Sequence, residues 1–322
     1  MKKKSIDILI IAEEFLLYKK SIGYKYKTGA FHLKALIKFL VKNNQKYSVP
    51  SKHFLITWCQ EVKFSKGSMY NRIVLAREFS KYLILKGYDT AYVIPRKYGI
   101  KLETHIPYFF TSEEIADFFY SCDHIKKRKE NPGRELVIPT IFRLLYCCGL
   151  RCKEARTLLC KNVNLKKNYI DILQSKGPKS RRIFINEELA NELKTYNNKM
   201  NIIFSERLYF FSKNGEMHYG ASFLSANFNR IWAITFPDFD STIKPRAYDF
   251  RHHFAYYNLN RWSADGENVK YMLAYLMRYM GHIHIKSTLY YFHFVPEFFS
   301  TFIEKSERLE SILPEVLYEV EN

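Results

Sequence analysis

Between residues 88 and 110 the chain has no regular period. Pro95 and Pro107 interrupt it, basic residues are scattered through it, and no helical or strand spacing of apolar residues survives. Helix-spaced apolar residues lie on either side, which limits the chain to two folded units and a connection. On the N-terminal side Leu33, Leu36, Ile37 and Leu40 recur at helical spacing, as do Leu75, Phe79, Tyr82 and Leu83, and Trp58 marks a further apolar segment after Pro50. A helix is expected over 5–18, and a stop at Gly87 after Lys86. The expected division is a helical domain of four or five helices over 1–90, a linker over 91–110, a second domain over 111–295 and an acidic tail helix over 296–322. Lysines fall between the apolar positions of the first domain, so one of its faces should be strongly basic.

The second domain opens on Thr111-Ser112-Glu113-Glu114, a capping box that places Thr111 at the N-cap of a helix to about residue 121. An apolar helix is expected over 135–148, stopped by Gly149, with Arg151 and Glu154 just beyond. From 168 to 185 the pattern alternates, with Ile170 and Ile172 before Gly177-Pro178 and Ile183 and Ile185 after it. That is the pattern of a β-hairpin with Lys176 at its tip and Lys179, Arg181 and Arg182 around it. Helices are expected over 187–200 and 222–236, the second with Phe228 and Trp232 inward. An extended stretch over 204–212 and a turn at Asn214-Gly215 lie between them. The fold class is therefore mainly α with a small β component, α+β.

With 322 residues, 47% of them apolar, the chain can bury a large core. A net charge of +19 calls for a polyanionic partner, nucleic acid first, since each neutralised phosphate releases counterions. The six cysteines form no CxxC pair, and no secretory leader is evident, so a reduced cytoplasmic setting is expected, with buried structural thiols rather than a metal site. No apolar run reaches the roughly 20 residues needed to span a bilayer.

The chemistry-bearing residues gather late in the chain. A helix starting near Ala247 would place Tyr248, Arg251 and His252 on one face, three and four residues apart. Gly281-His282 follows, with Tyr291 nine residues after His282. A fixed guanidinium, an imidazole and a phenol in one segment suit work on a phosphate.

Taken in order, Gly149-Leu150-Arg151, Lys176, Tyr248 to His252, Gly281-His282 and Tyr291 resemble the signature of the tyrosine recombinases, or phage-type integrases. In that pattern Tyr248 replaces the first histidine of the second box. The resemblance implies an N-terminal core-binding domain and a catalytic domain around duplex DNA, acting as a homotetramer on two sites. Arg151 and Arg251 would stabilise the charged transition state, with Lys176, or Lys179 if the register slips, as the acid for the leaving 5′-hydroxyl. His282 would donate to the phosphate, and Tyr291 would form a 3′-phosphotyrosyl bond. Such chemistry needs no metal, cofactor, small-molecule substrate or membrane.

Several assignments stay open at this level. Tyr290 is the neighbour that competes with Tyr291. Tyr248, a phenol with an ordinary pKa near 10, is a poor base and suits orientation. His252 is read as packing or as assisting, and Glu154 as orienting an arginine. His253, His284 and His293 lack the spacing of a metal motif. The tail could pack on its own domain or pass to a neighbour. Beside the recombinase stand a relaxing topoisomerase of the related type and a sequence-specific DNA-binding protein with reduced or lost catalysis.

Overall fold

Asp7 accepts a hydrogen bond from the Leu9 amide at 2.9 Å and starts α1 (Ile8–Ser21). The helix expected over 5–18 is therefore displaced, because the acid that breaks the apolar run satisfies a first-turn amide. The computed structural model describes residues 6–61, 66–98, 106–173, 180–282, 284 and 286–291. The chain divides into two compact units, Met1–His105 and Ile106–Asn322.

Among its described residues the first unit contains α1, α2 (Lys27–Lys42), α3 (Lys52–Gln60) and α4 (Lys66–Leu85). Phe15, Leu36, Leu55, Trp58 and Phe79 form the centre of its core, each contributing roughly 1.5–3 kcal/mol by burial. Phe15 meets Phe79 edge-on at 5.4 Å. On α2 the apolar stripe Leu33, Leu36, Ile37 and Leu40 faces inward, leaving Lys27, Lys34, Lys38 and Lys42 exposed.

The second unit begins at α5 (Ser112–Asp123). Thr111 Oγ1 accepts from the Glu114 amide at 3.1 Å, and Glu114 Oε2 accepts from the Thr111 amide at 2.9 Å. Next come α6 (Arg134–Cys148) and the short α7 (Cys152–Arg156). The sheet is antiparallel in the order β1 (Val163–Asn164), β2 (Tyr169–Ile172), β3 (Arg181–Phe184), with Ile170 opposite Ile183. The alternating pattern marked β2 and β3 and missed the short β1. The hairpin tip, with Lys176 and Lys179, lies outside the described residues, as do His293 and the tail over 296–322.

α8 (Glu187–Ile203) runs past its expected end, and α9 (Phe223–Thr235) follows. The stretch expected to be extended makes only isolated bridges, Leu159 with Tyr209 and Ser212 with His218. α10 (Asp249–Ala264), α11 (Val269–Met280) and α12 (Lys286–Leu289) complete the described unit. Phe118, Phe142, Phe228 and Phe250 bring α5, α6, α9 and α10 together, with ring separations of 5.1 Å for Phe118–Phe228 and 5.6 Å for Phe228–Phe250. Phe250 has no exposed surface, so it locks the first turn of α10 and fixes where the next residue, Arg251, points. Leu273, Leu276 and Met280 of α11 pack with Ala255 and Leu259 of α10 in a small cluster that includes Tyr291.

Among the described residues no helix is long and apolar enough to cross a membrane, and no three His, Cys, Asp or Glu side chains converge as metal ligands.

Candidate active site

α6 ends on Gly149 with φ +56°, where a Cβ would lie 2.5 Å from the Phe254 ring. The left-handed turn frees the Gly149 carbonyl and brings Arg151 to the N-cap of α7. Arg151 Nη1 donates to Glu154 Oε1 at 2.7 Å, and its Nη2 donates to the Gly281 carbonyl at 2.7 Å. Arg151 is thus tied to the Gly281-His282 loop, 130 residues along the chain.

Arg251 is 1% exposed. Its Nη1 donates to the Gly149 carbonyl at 2.6 Å, and its Nη2 to the Met280 carbonyl at 2.7 Å and to His282 Nε2 at 3.0 Å. Burial lowers its pKa to about 10, so it stays a cation at neutral pH. Its buried Nε has no partner among the described residues, leaving one donor uncommitted.

A guanidinium nitrogen only donates, so His282 Nε2 accepts and the ring proton sits on Nδ1. Nδ1 then donates to Thr288 Oγ1 at 2.7 Å. Burial first, then Arg251, Arg151 and Arg181, push the His282 pKa down to about 3, so the ring is neutral. Both its nitrogens are committed within the protein. The expected donor role toward a phosphate requires that Nε2 leave Arg251 and gain a proton.

Glu154 lies beneath these groups. Besides Arg151 it takes Arg181, with Nη1 to Oε1 at 3.0 Å and Nη2 to Oε2 at 2.7 Å, while Arg181 Nε donates to the Tyr279 carbonyl at 2.6 Å. Burial alone would raise the Glu154 carboxyl, but Arg181 and then Arg151 outweigh it and hold it at about 2. The orienting part read for Glu154 agrees with this geometry. Arg181, grouped in the sequence with the basic residues around the hairpin tip, is turned inward. Arg182, on the opposite strand face, pairs with Asp171 at 2.8 Å and stacks over Tyr169 at 3.7 Å. The strand itself carries the missed signal, since residue 181 shares a face with buried Ile183 and Ile185. At Gly281, φ +64°, a Cβ would lie 2.9 Å from Arg181 Nη1, so glycine allows this close approach.

Tyr291 is 3% exposed, and its hydroxyl lies 2.8 Å from His252 Nδ1. Burial raises its pKa well above the ordinary phenol value, against a lowering from Arg251. Of the two adjacent phenols, Tyr291 makes this bond, while the Tyr290 ring stands 6.2 Å from His252.

Tyr248 differs from its expected placement. It is the N-cap of α10 rather than a residue of its first turn, and it is 39% exposed. Its ring touches His252 at 5.1 Å, and among the described residues its hydroxyl bonds none of the other site groups. Tyr248, Arg251 and His252 therefore do not act as one face: Arg251 turns inward to the Gly149 and Met280 carbonyls, and His252 turns to Tyr291. Thr288 is a site group that the sequence reading missed, while His252, read there as packing or as assisting, meets the Tyr291 hydroxyl.

The result is a cationic cluster, with Arg151 and Arg181 on the Glu154 carboxylate, Arg251 on the Gly149 and Met280 carbonyls, and a neutral imidazole bonded to Arg251. This helical unit with its three-stranded sheet has the fold of a tyrosine recombinase catalytic domain. Residues 109–297 match the phage integrase family, more than half of the chain, and the chain belongs to that family, the tyrosine recombinases.

Among relatives, y4rE of Sinorhizobium fredii, named as an integrase/recombinase, is 24% identical over 285 residues, covering 87% of this chain and 89% of its own. A tyrosine recombinase of Pseudothermotoga lettingae is 24% identical over 257 residues, 80% of this chain and 78% of its own. Among solved structures, a lambda integrase dimer bound to a COC′ core site aligns with TM-score 0.64 at 13% identity, covering 89% of this chain and 77% of that one. XerH bound to a palindromic difH substrate aligns at 0.61 and 16%, covering 87% and 79%.

Proposed function

We propose that this chain is a site-specific DNA recombinase that breaks and rejoins strands through a phosphotyrosyl bond on Tyr291. The observation that carries the reading is the gathering of Arg151, Arg251 and His282 on the 280–282 loop, with the buried Tyr291 hydroxyl held by the helix that carries Arg251. Guanidinium forks match the non-bridging oxygens of a phosphodiester and stay charged, so they can stabilise the charge that builds as the phosphorus becomes five-coordinate.

In this reading Tyr291 Oη forms a bond to phosphorus as the bond to the 5′-oxygen breaks. The protein is left on the 3′-phosphate, and Lys176 gives the 5′-oxygen its proton. The ester energy is kept in the phosphotyrosyl link, so the reverse attack by a 5′-hydroxyl reseals a strand. Four copies on two duplexes would complete an exchange. The DNA-bound state of the lambda integrase and XerH structures supports duplex DNA as the partner.

The test starts from duplexes selected by this protein out of a random pool. They are remade with a 5′-bridging phosphorothiolate placed at successive steps, which traps the covalent product. Incubation in EDTA and a denaturing gel should show a protein–DNA adduct that Tyr290→Phe keeps and Tyr291→Phe abolishes. Salt-sensitive, sequence-specific binding with no adduct at any step would instead establish a DNA-binding protein that has lost catalysis.

A further inference from the structure

The nucleophile has a difficulty that the two arginines do not solve. A phenol attacks as the phenolate, yet Tyr291 is buried and its pKa lies above the ordinary value, so almost none is ionised near neutrality. A proton acceptor within hydrogen-bond reach is needed. Tyr248, at the position where the family pattern has a histidine, is a half-exposed phenol whose ring faces His252 rather than the Tyr291 hydroxyl, and phenols are poor bases at neutral pH. His282 has both nitrogens engaged, by Arg251 and Thr288.

Resting on the recombinase reading, we propose that His252 is the catalytic residue that takes the Tyr291 proton, filling the part that residue 248 has given up. The geometry is direct, with Nδ1 2.8 Å from the Tyr291 hydroxyl. For Nδ1 to accept, the ring proton sits on Nε2. During attack the O–H bond of Tyr291 breaks and its proton passes to Nδ1. The oxygen's electron pair forms the bond to phosphorus, and the pair of the broken P–O bond leaves with the 5′-oxygen, which Lys176 protonates separately. His252 is partly exposed, so its imidazolium can return the proton to water.

Its surroundings define what it feels. Tyr248 faces it at 5.1 Å from the start of α10, and Tyr290 and Tyr291 face it at 6.2 and 5.5 Å from the segment after α12. His282 on the 280–282 loop is close enough to interact with its charge, and Arg251 is its neighbour in sequence. The buried Asp249 carboxylate lies one turn earlier on the same helix, at its first residue.

The experiment measures single-turnover cleavage of the phosphorothiolate duplex, whose thiolate leaving group needs no acid. On that substrate His252→Gln should be slower by about 10²–10⁴-fold while binding DNA equally well. The wild-type rate should rise with pH through an imidazole titration that is missing in His252→Gln. Replacing Tyr291 with a fluorinated tyrosine of lower phenol pKa should restore His252→Gln, since a more acidic nucleophile needs less help from a base. The proposal is overturned if His252→Gln cleaves at the wild-type rate. It is equally overturned if the variant binds DNA, stays slow and is not restored by the fluorinated phenol, which would make His252 a packing residue. A wild-type protein that forms no adduct at all removes the recombinase reading itself, and this proposal with it.

Discussion

Glu154 and Arg181 meet through two parallel hydrogen bonds of 3.0 and 2.7 Å, with their side chains only 5% and 7% exposed. The pair joins α7 to β3, and it reaches Arg151 directly and the end of α11 through the Tyr279 carbonyl. A buried ion pair stands or falls as a unit, because removing one partner strands the other charge. Glu154→Gln should therefore lower stability by about 3–5 kcal/mol at pH 7. The carboxyl is depressed in the folded state to about 2, so its contribution is complete above its ordinary value and is lost as pH falls through about 2. Urea titrations of wild type and variant should converge as pH drops from about 4.5 toward 2. Parallel curves across that range would show that folding does not depress the pKa of this carboxyl.

At Gly149 the left-handed backbone and the Phe254 ring act together. Gly149→Ala adds roughly 1–2 kcal/mol of backbone strain, and a Cβ 2.5 Å from the ring must move Phe254 or the turn. Since the Gly149 carbonyl receives Arg251, the shift should reach the site as well. Thermal denaturation should show a drop of several degrees, and adduct formation should fall further than the lost stability explains. An alanine variant with unchanged melting and cleavage would mean that the turn relaxes at no cost.

Local chemistry in the sequence was a reliable guide to some of this site and silent on the rest. The Thr111 capping box, the stop at Gly149 and the alternation flanking residues 177–178 are written within a few residues, and each element formed there. α11 was not among the expected helices, although Leu273, Leu276 and Met280 have helical spacing. His252 could not be placed from its neighbours. On a helix it points about 100° from Arg251, and only the return of the chain through α11 and α12 brings the Tyr291 hydroxyl to it. Tyr248 failed for a related reason: the buried Asp249 carboxylate accepts from the Arg246 amide at 2.8 Å, and the helix starts at Asp249, two residues later than expected.

His253 is buried between aromatic rings, stacked on Tyr146 at 5.5 Å and Tyr257 at 6.2 Å, and its Nδ1 has no partner among the described residues. Burial lowers its pKa to about 4. A histidine depressed on folding is bound more tightly to protons in the unfolded chain, so stability falls as pH drops from about 6.5 to about 4. His253→Phe removes that dependence and the unpaired nitrogen, and should be neutral or stabilising at pH 7. Urea midpoints at pH 7 and pH 5 should differ less in the variant than in the wild type. A larger acid loss in His253→Phe would mean that the imidazole has a partner it needs.

In the first unit, Lys34, Lys38 and Lys42 follow at four-residue steps along the exposed side of α2, so their ammonium groups form one row above the buried Leu36 and Leu40. A row of this kind suits a DNA backbone, and on the proposed function it lies on phosphates. Such contacts carry no base information, so replacing all three with glutamine should weaken binding to selected and random duplexes alike. Each lysine that neutralises a phosphate contributes about 0.9 to the slope of log affinity against log salt, so the slope should flatten by about 0.9 per contact removed. Binding isotherms at four or five salt concentrations measure this directly. A slope unchanged from the wild type would place the DNA elsewhere on this unit, whatever happened to the affinity at one salt. If discrimination between selected and random duplexes fell while the slope held, the row would be setting the position of a base-reading element instead.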